Sequence, residues 1–371
     1  MRLGVLGGIA AGLVASSLII GVASVARGHR AVRTRLVAED ASAPLRRIAI
    51  HYAPYADPVA LGVWRQLFRA LPANVDIEVE VGAAEDFDRL LRLLRESHTP
   101  NLERLHPIVV GSQITTWSRD RYASLVGDDG SGSILAPPRI EAPFHSRAGD
   151  FESPYAISHG LYHREPAIAD LVFEGGDLAA TPDLVFVDAN LPARNLGHAA
   201  SDRPTIEREL GRHLGQQLIW LGDEVGDIPR HHIMMYMMPL DDHTVAVGDV
   251  REGVRLLGSE PLPLDDIDVE ARRFDHAAEL LAARGFRVLR VPALVLEGAG
   301  SYVTYTNALF DRRADGTRVV YLPTYALPSL DAVGTKFWRD QGYAVVPIDV
   351  SPIYQLHGSL GCLVNVLARA T

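Results

Sequence analysis

The chain has 371 residues, of which 47% are hydrophobic and 22% charged, a size and balance that suit one large or two ordinary globular domains. Its formal net charge of −10 argues against a nucleic-acid partner, which calls for a basic footprint. The single cysteine, Cys362, excludes an internal disulfide, and the chain carries no CxxC pair, HExxH, Walker loop or strand-linked GxGxxG, so neither a metal nor a nucleotide cofactor is indicated.

In chain order, residues 3–26 hold no charged side chain and exceed the roughly 20 apolar residues that span a bilayer. They read as an apolar helix that anchors the protein to a membrane. The alternative is an export signal cleaved after Ser24, Val25 and Ala26, which would release a secreted protein. Arg27, Arg30, Arg33 and Arg35 follow, and the positive-inside rule favours the anchor with the bulk of the chain on the cytoplasmic side. Residues 27–45 read as a linker, and residues 46–371 as the folded domain.

Within that domain, residues 47–52 read as a strand. Residues 58–71 have helical spacing through Val59, Leu61, Val63, Trp64, Leu67 and Phe68, and residues 75–81 alternate as a half-buried strand does. A helix at 87–94 and an apolar strand at 106–113 precede a polar, aromatic break around Trp117 and Asp120. Residues 141–166, rich in His, Pro, Gly and Ser, predict a long loop of the kind that is often functional. Paired strands follow at 170–177 and 184–188, then a helix at 205–217 and a strand at 218–221. Residues 231–239 and 244–250 pair again, and the helix at 268–284 leads to a strand at 286–291. The last unit has strands at 302–310 and 319–323, a helix at 327–341 and a strand at 343–349. The order strand–strand–helix–strand therefore recurs about every 60–70 residues, as architecture rather than as sequence. Units set around an axis would aim their strand ends at one centre, and Asp120, Glu174, His232 and Cys362 stand at such ends.

Those four suit nucleophilic attack on an electron-poor carbon in a cationic group. The carboxylates would hold a guanidinium by charge-assisted hydrogen bonds. The thiolate would attack its carbon, and His232 would protonate the leaving amine and then activate water. No cofactor is needed. Each residue has a plainer role available: a buried inert thiol, an Asp120–Arg119 ion pair, a solvated acid before Gly175 and Gly176, or a structural histidine.

Taken together the segments resemble the guanidino-group-modifying (pentein) superfamily, on its agmatine deiminase and peptidylarginine deiminase-like side. Trp117, Ser118, Arg119 and Asp120 resemble a W-x-R-D motif, and Glu174, Gly175 and Gly176 an E-G-G segment. His232, Ile233 and Met234 lie where the family has H-x-D. Residues 301–307 resemble its S-Y-x-N region, and residues 357–362 its glycine-rich loop before the nucleophile. The match runs from about residue 46 to 368. It implies a five-bladed pseudosymmetric α/β propeller of ββαβ units. It also implies Cys362 as nucleophile, His232 as acid and base, Glu174 as partner of histidine and substrate, and Asp120 as guanidinium ligand. Trp117, position 234 and Gly358 would line the substrate site. The implied ligand is a small cationic guanidino compound or peptidyl-arginine.

Two positions depart from that pattern: Met234 replaces the second guanidinium-binding aspartate, and Gly361 the histidine before the nucleophile. Taking His231 as the catalytic histidine would put Ile233 at the acid position. Three readings follow: a cysteine-dependent hydrolase of a guanidine or amidine C–N bond, a catalytically impaired guanidino-binding protein, or an amidinotransferase.

Overall fold

The structure, a computed structural model, describes residues 33–139, 145–298 and 300–370. Among them are five β-sheets of 4, 3, 4, 3 and 4 strands. Each contains the same triplet, in which two strands run antiparallel and a third lies parallel to the second. The triplets are Ala123–Gly127, Gly132–Ala136 and Ala167–Ile168; Leu178–Ala180, Leu184–Asp188 and Gln217–Leu221; Met237–Asp241, Thr244–Asp249 and Arg287–Val295; and Leu309–Arg312, Arg318–Thr324 and Ala344–Asp349. The fifth joins the two ends of the described chain: Val364–Arg369 runs antiparallel to Leu45–Tyr52, which is parallel to Asp76–Val81. A parallel step needs a crossover, and helical segments supply it in every triplet, for example Asp57–Ala70, Arg203–His213 and Pro328–Asp340. The strand–strand–helix–strand order read from the sequence corresponds to this arrangement.

The helix Asp57–Ala70 forms where its apolar spacing predicts, and it buries Leu61, Val63, Trp64, Leu67 and Phe68. The alternating strand Asp76–Val81 departs from the half-buried expectation, because Glu78 and Glu80 are buried as well. The cause is the cover over that face. Residues 141–166, read as a loop, contain the helical turns His145–Glu152, Ser153–Ile157 and Ser158–Tyr162. Ser153 donates to Glu80, and Tyr122 reaches the same carboxylate at 2.7 Å. Asp150 accepts from the Thr115 amide and hydroxyl, each at 2.7 Å. Buried carboxylates persist where hydrogen bonds of this kind replace water.

The folded unit also begins earlier than expected. Thr34–Leu36 is a strand on the edge of the Ala123–Gly127 sheet. The Arg369 guanidinium donates to the carbonyls of Ala38 and Ala43 at 2.6 and 2.7 Å. From residue 33 onward, the segment read as a linker is therefore part of the fold, held by backbone pairing that no apolar period announces. The anchor or signal assigned to residues 1–26 lies outside the described residues. Among the described residues no helix is long and apolar enough to cross a membrane.

Candidate active site

The turn at residues 117–120 precedes the strand Ala123–Gly127 and is bonded directly to the cysteine segment. The Arg119 amide donates to the Cys362 carbonyl at 3.3 Å, and the Ser118 hydroxyl to the Leu363 carbonyl at 3.0 Å. The Gly175 amide donates to the Asp120 carbonyl at 3.1 Å, which brings Glu174 alongside. Gly176 faces His232, and a Cβ there would overlap the imidazole ring. Gly358 likewise leaves its space to the Trp117 indole. The glycines at these two places are dictated by close approach.

These contacts gather Trp117, Asp120, Glu174, His232 and Cys362 on one cleft of about 600 Å³, with Tyr55, Arg147, Arg194, His231, Leu356 and His357. Cys362 sits in the short helix Leu360–Leu363 and is 4% exposed. Its sulfur accepts from the Asn307 Nδ2 at 3.2 Å, and its amide donates to the Asn307 Oδ1 at 3.2 Å. The Met235 sulfur lies 3.9 Å from it.

His232 Nε2 is 2.9 Å from the Glu174 Oε2, and Nδ1 is 3.8 Å from the Asp120 Oδ1. Burial alone would lower the imidazole's pKa. The Cys362 thiol, the Glu174 hydrogen bond and the Asp120 charge together raise it well above the ordinary value. Nδ1 nevertheless has no hydrogen-bond partner, so the thiol is a neighbour of the imidazole rather than its bonded partner. Burial raises the Glu174 carboxyl, but the His232 hydrogen bond and the Arg194 and Arg121 charges bring it below the usual carboxylate range. Burial also raises Asp120, against the pull of Arg147 and His232. His231 is different: burial and the adjacent His232 charge hold it down to about 3, and its Nδ1 accepts the His232 amide at 2.9 Å. It is a neutral acceptor, whereas His232 carries the carboxylate contact.

Met234 is not on the cleft. It is 3% exposed and packs in the main hydrophobic core, and only its carbonyl makes a polar contact, accepting from the Thr306 hydroxyl at 2.8 Å. Its assignment as a substrate-binding position therefore gives way to a core role. The reason is local. Ile233–Met235 is a tight helical turn, not the strand expected over 231–239, so Met235 and not Met234 meets the sulfur. The two departures from the family pattern also touch. A Cβ at Gly361 would lie 2.7 Å from the Met234 Cε and 2.9 Å from the Asn307 Oδ1. A side chain at 361 would require the Met234 methyl group to move.

Three residues of the site were not picked out from the sequence. Asn307 grips both the amide and the sulfur of Cys362; its only advance signal is the motif-like stretch at 301–307. Arg147 donates to the Asp120 Oδ2 at 2.6 Å and to the Asp150 Oδ2 at 3.1 Å. Arg194 donates to the Glu174 Oε2 at 3.1 Å and the Asp177 Oδ1 at 3.2 Å. Surface-like arginines in polar segments give no sign of such pairing. Among the described residues no group of three or more His, Cys, Asp and Glu is arranged to hold a metal ion.

No family model matches the chain, and no curated protein matches it. Solved structures do. The C. jejuni agmatine deiminase superposes with a TM-score of 0.66 at 16% identity, over 91% of this chain and 97% of that one. A form of that enzyme with a cysteine replaced by serine and substrate bound gives 0.67, at the same identity and coverage. The agmatine deiminase of Enterococcus faecalis gives 0.65 at 14% identity, over 91% and 96%. At such identity the likeness speaks for the fold: this chain has the pentein-like α/β fold of those proteins, in line with the motif resemblance.

Proposed function

We propose that this pentein-fold chain is a thiol-dependent hydrolase of a guanidine- or amidine-type C–N bond, with the cleft at Cys362 as its active site. The observation that carries the reading is one arrangement. His232, hydrogen-bonded to Glu174 and close to Asp120, faces the same cleft as the only cysteine. The five like sheets support a five-bladed arrangement, in which such distant residues meet at one centre. The substrate bound to the C. jejuni enzyme supports a small guanidino-type ligand.

The chain's own groups supply each step. Sγ, as thiolate, attacks the central carbon and forms an S–C bond. Protonated His232 gives its proton to the leaving nitrogen, the C–N bond breaks, and ammonia departs. The same imidazole, now neutral, takes a proton from water as its oxygen attacks the carbon. The S–C bond breaks, the thiolate is restored, the proton left on the oxygen passes to solvent, and the product carries C=O where C–N stood. Glu174 keeps the imidazole oriented and stabilises its charged form. Asn307 holds the sulfur on the cleft side. Trp117 forms an apolar wall that limits competing water.

The experiment is ammonia release with product analysis on agmatine, arginine, peptidyl-arginine and N-acylguanidines, using native protein and Cys362→Ala. Ammonia formed by the native chain and lost in the variant supports the reading. Equal turnover in both would sink it. Ligand binding with no turnover on any substrate would favour the impaired, guanidino-binding alternative, which the burial of Met234 also supports.

A further inference from the structure

The acids on and behind the cleft are already paired by the chain itself. Four carboxylates, Asp120, Asp150, Asp177 and Glu174, stand against Arg121, Arg147, Arg194 and the protonated His232. Each of the four acids has at least one arginine partner. Arg147 is the telling case. Its guanidinium bonds Asp120 through Nη2 and Asp150 through Nε, and its Nη1 lies 4.0 Å from the Glu174 Oε1. It thus spans the two acids that the motif resemblance assigns to a substrate guanidinium. It is held there, because Asp150 is itself fixed by two hydrogen bonds from Thr115. With a side chain 18% exposed, it faces the cleft as a lining residue. The other place where the family has an acid is Met234, which lies in the core. Behind Glu174, Arg121 is buried with Nε and Nη2 unbonded and its guanidinium 4.5 Å from the centre of the Phe151 ring.

An incoming guanidinium would meet carboxylates that are already paired. To take the Asp120 Oδ2 it would have to displace Arg147 and leave that guanidinium on Asp150 alone, and breaking one pair of a buried charge network is unfavourable. A substrate that is uncharged at its reacting group pays no such penalty, and it can accept hydrogen bonds from the arginines. We infer that Arg147 is the specificity-determining residue of this site: it occupies the guanidinium-holding position and makes the cleft select an uncharged, electron-poor amidine-type carbon over a cationic one. An N-acylguanidine fits that class, because the acyl group draws off the electron density that would hold the proton and makes the carbon more electrophilic. The inference rests on the proposed function for its thiol chemistry, but its charge argument stands on geometry alone.

A matched pair of alkylating probes tests it. 2-Chloroacetamidine is a cation at neutral pH, and 2-chloroacetamide is its neutral counterpart. In each case Sγ displaces chloride, forming S–C and breaking C–Cl, while the thiol proton passes to solvent. Rates on Cys362 of the full chain are each divided by the rate on N-acetylcysteine. In native protein the amidinium should show no advantage beyond about threefold, and Arg147→Gln should raise the amidinium-to-amide ratio by about tenfold or more, the effect of removing one charge-paired competitor. A strong amidinium preference in the native chain, or a ratio unchanged in R147Q, overturns the inference. If R147Q does not fold by circular dichroism, Asp150→Asn serves instead: it loosens the second anchor of Arg147 while the amide oxygen still accepts from Thr115. A smaller rise supports the inference and none overturns it. If neither probe alkylates Cys362, the nucleophile of the proposed function fails. The inference is then read from calorimetric binding of methylguanidinium: clearly tighter binding in R147Q supports it, and equal affinities overturn it.

Discussion

On one wall of the cleft Asp120, Glu174, Arg147, Arg194 and His232 are linked through hydrogen bonds and ion pairs. On the other, Cys362 lies against Asn307 and Met235, with Met234 packed behind Gly361. The charged wall is a network, so removing one member leaves several others unpaired in a low-dielectric setting. The sulfur wall is soft and apolar, and its one polar clasp is Asn307. The contrast teaches where stability and reactivity separate. Changes on the sulfur wall should alter chemistry with modest effects on folding, unless they place a charge there. Changes on the charged wall should disturb both.

The largest expected effect is on chemistry alone. Cys362→Ser should lower turnover by about 10⁴-fold or more, as loss of a nucleophile does elsewhere, while the thermal midpoint moves by only a few degrees. Steady-state ammonia assays and calorimetric melting separate the two. A melting point that collapses with the activity would erase the contrast between the walls.

Next comes a charge placed on the wrong wall. Met234→Asp restores the family's residue type but buries an acid among Met235, Gly361 and core side chains. It should cost about 3–5 kcal/mol, the range for an uncompensated buried charge, read from urea unfolding. Unchanged stability with a gain in turnover on a guanidinium substrate would mean that position 234 reaches the cleft after all.

Asn307→Ala removes both hydrogen bonds to Cys362. At about 0.5–1.5 kcal/mol for each bond, the stability loss should be modest. The thiol, no longer held toward the cleft, should react several-fold more slowly with a neutral alkylating agent. A rate equal to native would show that Asn307 does not position the sulfur.

The smallest effect is in the pH profile of stability. His232 has its pKa raised in the folded state above the ordinary 6.5, so folding holds its proton more tightly than the unfolded chain does. Its contribution is complete below about 6.5 and is lost as pH climbs toward the folded value. Asp188, pushed up to about 7 by burial and by the Asp177 charge, also lowers stability with rising pH, but only between its ordinary value and 7. Above pH 7 the decline is shared by His232 and the buried His51, whose imidazole burial would lower but the Glu80 carboxylate raises, and His232→Gln should make it shallower. A slope above 7 unchanged by the substitution would assign the whole decline to other groups.

How much of this was legible in advance depended on how local each signal was. The helix Asp57–Ala70 and the strand Leu45–Tyr52 were visible because their apolar spacing and their burial coincide. The recurrence of strand–strand–helix–strand was visible for the same reason. The meeting of Trp117, Asp120, Glu174, His232 and Cys362 was legible only through order and spacing of short motifs, since no single residue announces itself. What stayed hidden depends on tertiary pairing or on a local turn. Arg147 sits in a stretch whose Gly, Pro and Ser content speaks of loop, and its ties to Asp120 and Asp150 have no local period. Residues 33–45 are fixed by backbone bonds and by Arg369, hundreds of positions away. Met234 was assigned to the substrate site by its place in the H-x-D motif, but the tight turn Ile233–Met235, with about three residues per turn, carries it into the core. That turn decides which methionine meets the sulfur.

The proposed chemistry requires a covalent bond to Cys362 during turnover. Full-length protein mixed with an N-acylguanidine, quenched within the first turnovers and weighed by intact mass spectrometry, should carry an adduct equal to the substrate less one ammonia. The adduct should map to Cys362 and be absent from Cys362→Ser. Ammonia released at the native rate by the serine variant, with no adduct on either protein, would contradict the account.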